Sequence, residues 1–177
     1  MASIQEIEVK VLEIDRPSLE KKILELGGEK EFEAEFSAIL YDDAAGSIRA
    51  AGNLLRLRKE QDGVKLTFKQ NLSTGVAKIM EEHETAVEDF EVMRKILASL
   101  GYREMLALRK NRAQFSLNGQ HLVFDKYFDE LQHIPEFLEI EAQSEAALLE
   151  LMDVLGIERQ LALPWNTHDL MVHYQKK

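Results

Sequence analysis

The sequence predicts an α+β fold, a sheet, flat or closed into a barrel, with helices packed against its apolar face. Two observations carry this. Segments along the whole chain alternate charged and apolar residues with a period of two, and successive side chains of a strand point to opposite faces. In the first of them, Glu6, Glu8 and Lys10 share one face while Ile7, Val9 and Val11 share the other. Three amphipathic helices also each offer an apolar stripe that needs a partner, and the apolar strand faces supply it. The charged faces then lie opposite the helices. Closing the sheet would turn them into an interior and remove the edge strands.

The elements follow in order. Residues 4–13 read as the first strand. Asp15-Arg16-Pro17-Ser18 is a turn and helix entry, Leu19 to Leu26 is the helix, and Gly27-Gly28 stops it. A second strand covers residues 30–42, followed by a loop to Gly46 and a short helical turn at Ser47 to Ala51. Asn53 to Lys59 and Val64 to Lys69 form a hairpin about Gln61-Asp62-Gly63, and Gln70 to Gly75 reads as loop. Ala77 to Ala86 is a strand, and Glu88-Asp89 opens a helix to about Leu100. Residues 104–117 and 120–127 pair about Asn118-Gly119, and Glu136 to Ala142 is the last strand. Ser144 caps a helix that Gly156 ends, and His168 to Tyr174 reads as a short helix.

The chain has 177 residues, enough for one domain with a substantial core, and residues 1–177 are read as a single domain. It has no cysteine, which excludes disulfides and thiolate metal sites and is compatible with the cytoplasm. The sequence shows no signal peptide and no apolar run of the roughly 20 residues that span a bilayer. With 32 acidic and 22 basic residues the net charge is −10, which argues against nucleic acid as a partner. A homodimer is compatible with these features.

The charged strand faces are sorted by sign. Arg56, Arg58, Lys65 and Lys69 put four bases on one hairpin, while Glu139 and Glu141 form an acidic pair. A solvated surface usually mixes signs. Segregated patches that face each other suit an anion held at one wall and a metal at the other. Carboxylates such as Glu6, Glu8, Asp125, Glu139 and Glu141 suit a hard divalent cation, with Glu82 and Glu84 as a second acidic pair. The arginines can grip phosphate oxygens bidentately, and Lys65, Lys69 and Lys110 act as point charges, with Arg112 in the same set.

These residues resemble a known family. Glu6-x-Glu8-x-Lys10 is similar to the Glu-x-Glu-x-Lys signature of the CYTH domain, also called the triphosphate tunnel metalloenzymes. Later parts match in order: Tyr41-x-Asp43, Leu55-Arg56-Leu57-Arg58, Lys65-Leu66-Thr67-Phe68-Lys69, Glu82-x-Glu84, Lys110-x-Arg112, Asp125, and Phe137-Leu138-Glu139-Ile140-Glu141. The resemblance implies a closed eight-stranded antiparallel β-barrel, acids that bind Mg²⁺ or Mn²⁺, and bases that bind a triphosphate. It implies that Lys10 stands at the reacting phosphate and pairs with Tyr41 to activate water. The family includes inorganic and thiamine triphosphatases and class IV adenylyl cyclases, so the implied substrate is tripolyphosphate, thiamine triphosphate or ATP. Bacterial class IV cyclases can carry a His-Phe pair before the signature; here Met1-Ala2-Ser3-Ile4-Gln5 stands there. A metal-dependent triphosphate hydrolase is therefore the first reading. A cyclase converting ATP to cyclic AMP is the alternative, and a non-catalytic polyphosphate- or nucleotide-binding module is the third.

Overall fold

A computed structural model describes residues 4–60 and 63–175. Its strands are β1 (Ile4–Val11), β2 (Glu29–Asp42), β3 (Leu54–Glu60), β4 (Gly63–Thr74), β5 (Lys78–Val87), β6 (Arg103–Leu117), β7 (Gln120–Tyr127) and β8 (Phe137–Ala142). They form one closed barrel in the order β1-β5-β4-β3-β2-β6-β7-β8, every neighbouring pair antiparallel. Around it lie α1 (Arg16–Glu25), α2 (Ser47–Ala50), α3 (Phe90–Ser99), α4 (Glu145–Leu155) and α5 (Thr167–Gln175). Among the described residues, no helix is long and apolar enough to cross a membrane.

The helix starts are local chemistry. Asp15 accepts from the Ser18 N–H, Asp89 from the Val92 N–H and Ser144 from the Ala147 N–H, each satisfying a backbone donor that the first turn leaves open. Gly156 ends α4 in the left-handed region, at φ 70°, where a side chain would be strained.

The apolar strand faces meet the helices as expected. Outer residues of β1 and β6–β8, among them Val9, Phe115, Phe124 and Ile140, pack with Ile23 of α1 and Leu148, Leu151 and Met152 of α4. Leu55 and Leu57 of β3 pack with Leu97 of α3. A third cluster joins Tyr127 and Phe137 to Leu170 and Tyr174 of α5, with Leu106, Leu108 and Trp165 against it.

Two expectations need correction or limit. Gln70 to Thr74 is not loop: it continues β4, and Gln70, Asn71, Ser73 and Thr74 pair with β5 across a register shift. Polar residues on both faces hid the strand, because backbone pairing in a barrel does not require an apolar face. Residues 61–62 of the predicted hairpin turn lie outside the described residues, although the flanking Glu60 and Gly63 are register partners.

Candidate functional site

The ladder register decides which side chains share the interior, because directly opposed residues of an antiparallel pair point to the same face. Glu8 opposes Glu141 and Lys10 opposes Glu139; Lys69 opposes Glu82, Arg58 opposes Lys65, and Arg112 opposes Asp125. All the charged site residues expected from sequence therefore turn inward. One end of the interior is packed by the α5 cluster. Toward the other end lies a cavity of about 620 Å³ lined by residues including Glu6, Arg56, Lys69, Arg112 and Glu141.

On the β1/β8 wall, carboxylate oxygens of Glu6, Glu8 and Glu141 lie within 4.8 Å of one another. Burial and the neighbouring Glu139 push the Glu141 carboxyl up to about 8, and burial raises Glu6 as well. Burial works against the Glu8 charge too, but Lys10, Lys78 and Lys69 together outweigh it and hold Glu8 below the usual carboxylate range. Three hard oxygen donors that repel one another this closely fit a divalent cation such as Mg²⁺ or Mn²⁺, whose charge would relieve the repulsion.

The remaining expected metal ligands are engaged differently. Glu139 holds Lys10 at 2.6 Å and Arg112 at 3.2 Å. Asp125 takes both forks of Arg112, at 2.8 and 2.6 Å, and Lys110 at 2.5 Å. Burial would raise Glu139, yet Lys10 and Arg112 hold it well below the usual range. The structure thus gathers three of the five expected ligands into one cluster and sets Asp125 and Glu139 into an ion-pair network behind it. In that network burial and the Arg112 charge pull Lys110 down to about 8, whereas Glu139 and Glu8 outweigh burial and raise Lys10 above its ordinary value.

The β3/β4 hairpin carries its own counter-charges. Arg58 meets Glu60 at 2.6 Å and Glu84 at 3.4 Å; Lys65 meets Glu84 at 3.1 Å and Glu60 at 3.4 Å. Lys69 pairs with Glu6 and, at 2.9 Å, with Glu82. Glu82 and Glu84 therefore pair with the hairpin's bases rather than with the acid cluster. Arg56 is the exception. Among the described residues it has no hydrogen bond or ion pair, and its Nε is buried without a partner. Burial and the nearby Arg58 and Arg112 charges lower its pKa.

The expected Lys10–Tyr41 pair is not formed. Tyr41 is in phase with Ile39, opposes Leu55, and packs in the outer cluster with Leu57 and Leu97. The phenol that borders Lys10 is Tyr127, which is 4% exposed, pushed up to about 12 by burial and Asp125, and 3.3 Å from the Thr167 hydroxyl. Sequence reasoning also missed Glu60 and Lys78, the latter 3.3 Å from Glu8. Both were readable: Glu60 is in phase with Arg56 and Arg58, and Lys78 with Glu82 and Glu84. His83 is exposed on the outer face and Trp165 packs beside α5.

Comparison with known proteins places this geometry. The family model of the CYTH domain matches residues 5–168. A protein of Methanocaldococcus jannaschii named as a candidate adenylate cyclase is 26% identical over 159 residues, covering 85% of this chain and 87% of that one. A Vibrio parahaemolyticus structure, also named as a candidate adenylate cyclase, superposes with a TM-score of 0.78 at 17% identity, covering 97% of this chain and 99% of that one. A Hippeastrum structure, described as a candidate adenylyl cyclase with a dominant triphosphatase activity, gives 0.65 at 16% identity, covering 97% and 96%. With the family match running over nearly the whole chain, on a closed eight-stranded barrel of charged interior, this protein belongs to the CYTH domain family.

Proposed function

We propose that the protein is a metal-dependent triphosphate hydrolase whose substrate lies in the charged cavity. The observation that carries the reading is Arg56, a guanidinium on the cavity wall with no hydrogen bond or ion pair among the described residues, facing a cavity that also takes Glu6 and Glu141 of the carboxylate cluster. Such a cation is costly to leave unpaired, and a polyanion that comes with the protein's partner ion would satisfy both walls at once.

The roles follow from position. Arg56, Arg58 and Arg112 offer forked donors for phosphoryl oxygens, and Lys65, Lys69 and Lys110 add point charges. Glu6, Glu8 and Glu141 would hold Mg²⁺ or Mn²⁺, which when bound neutralises phosphate charge and polarises a phosphoryl oxygen. Lys10 stays protonated between Glu139 and Glu8, so it serves as a fixed positive charge for the terminal phosphate and not as a base. Asp125 and Glu139 hold Arg112, Lys110 and Lys10 in place, so that the donors are oriented before substrate arrives. Water attacks the terminal phosphorus in line, and the shortened phosphate chain leaves.

A second reading is a class IV adenylyl cyclase, favoured by the names of the Methanocaldococcus and Vibrio relatives. The same donors would then hold ATP while its 3′-hydroxyl attacks the α-phosphorus. The Hippeastrum protein's dominant triphosphatase activity supports the first reading. The test is to incubate the protein with tripolyphosphate, ATP and thiamine triphosphate, with Mg²⁺, Mn²⁺ or EDTA, and resolve products by phosphorus NMR. Metal-dependent orthophosphate is the expected product. Pyrophosphate with cyclic AMP would establish the cyclase, and tight metal-dependent binding without turnover would establish a binding module.

A further inference from the structure

One strand breaks the charge pattern of the interior. Over residues 32–40 the inward face of β2 is Phe32, Ala34, Phe36, Ala38 and Leu40, whereas each of the other strands turns at least one charged side chain inward. Phe32, Ala34 and Phe36 line the cavity. None of them belongs to the three apolar clusters that hold the fold together, and Phe32 is 37% exposed. The two rings stand edge to face with centroids 5.9 Å apart, and the Arg58 guanidinium lies over the Phe36 ring at 5.8 Å.

A cavity shaped for phosphate alone has no use for this strip. The face of an aromatic ring carries negative potential, which attracts guanidinium and flat polarised rings and repels phosphate oxygens. The cavity's 620 Å³ also falls in the roughly 300–1,000 Å³ range that encloses drug-sized ligands. The register sets the strip beside the phosphate donors, with Phe36 opposite Lys110, Ala34 opposite Arg112 and Phe32 opposite Gln114. Gln114 lines the same cavity, its amide nitrogen 2.6 Å from Glu31 and 3.2 Å from His121, so an oriented amide stands next to the aromatic pair.

We infer that Phe32 and Phe36 seat a flat heteroaromatic ring, with Gln114 at its edge. The preferred ligand of the cavity is then a triphosphate ester bearing such a ring rather than bare tripolyphosphate. The inference rests on the triphosphate reading above. The phosphate chain lies along Arg56, Arg58 and Arg112, and the ring lies beside it on the apolar strip of β2.

The test measures equilibrium binding, with Mg²⁺, of β,γ-methylene-ATP and of the bis-methylene analogue of tripolyphosphate to the wild-type protein, Phe32→Ala and Phe36→Leu. Thermal melting checks that each variant is folded. Stacking of a base on an aromatic side chain is strong enough that Phe32→Ala should weaken the ATP analogue roughly tenfold. The tripolyphosphate analogue should change less than about twofold, because it makes no stacking contact. In the wild type, saturating the phenylalanine ring protons should transfer magnetisation to the adenine protons. Equal weakening of both analogues, no weakening of either, or no transfer to adenine overturns the inference while the triphosphate site stands. Failure of both analogues to bind the wild-type protein overturns the triphosphate reading and this inference with it.

Discussion

The β1/β8 wall and the β3/β4 hairpin face the same cavity, yet they manage charge in opposite ways. On the hairpin each inward-facing base but Arg56 has a carboxylate within ion-pair distance, so that side is close to self-neutralised. On the other wall Glu6, Glu8 and Glu141 converge, and burial with the neighbouring Glu139 pushes the Glu141 carboxyl up to about 8. Behind them, Glu139 and Asp125 are saturated with cations. The difference separates two jobs that look alike in a list of charged residues. Balanced charges position; unbalanced ones await a ligand. Arg56, with no ion-pair partner among the described residues, and the acid cluster, where three carboxylates converge although lysines reach Glu6 and Glu8, are the unbalanced set, and they carry opposite signs.

Removing a member of the unbalanced set should cost function and spare the fold. Glu141→Gln should lower Mg²⁺-dependent turnover roughly 10³-fold, read by phosphate release. It should at the same time raise the melting temperature of the metal-free protein at pH 8. The sign follows from linkage: a carboxyl raised in the folded state destabilises that state as pH climbs from its ordinary value toward about 8, and glutamine removes that penalty. A lower melting temperature would put Glu141 among the positioning residues.

Removing a member of the balanced set should do the reverse. Glu139→Gln leaves Lys10 with Glu8 at 3.6 Å as its remaining carboxylate and strips a partner from Arg112. Breaking a buried pair in this way costs about 3 kcal/mol, measurable as a lower urea midpoint. An unchanged midpoint would dissolve the distinction between the two walls. Arg56→Met sharpens it from the other side. It should weaken a triphosphate analogue about 30-fold in titration calorimetry, the cost of a lost charge-assisted hydrogen bond, with no loss of thermal stability.

The smallest effect concerns Lys110, which lies between the two classes because burial and Arg112 have already pulled it down to about 8. Above that pH the free protein loses this charge and binding of a polyanion must take up a proton. Affinity should therefore fall by up to about tenfold for each pH unit above 8, and Lys110→Arg should flatten the profile. A wild-type profile that is flat from pH 7 to 9 would remove Lys110 from the phosphate-binding set.

The interior was readable from sequence because strand alternation is strict: Glu6, Glu8 and Lys10 had to share a face, and the apolar phase had to meet the helices. What alternation does not contain is the lateral order of strands, and the pairing of charges follows from that order. Glu139 and Glu141 are equivalent in sequence, and only their opposition to Lys10 and Glu8 across the β1/β8 seam gives them different tasks. Tyr41 shows the converse. Its phase with Ile39 already placed it on the outer face, whereas the family resemblance implied a pairing with Lys10 inside.

The seam also governs how such a barrel is made. β1 pairs with β5 on one side and β8 on the other, so the first strand synthesised receives its second partner only when the last one exists. Until then a nascent sheet carries two open edges, the condition under which chains add to one another. Glu6, Glu8 and Lys10 on the β1 edge, with Asp125 on the β7 edge, set inward-pointing charges along both, and such charges discourage pairing with a foreign strand. The residues that give the finished cavity its chemistry thus also guard the unfinished chain against aggregation.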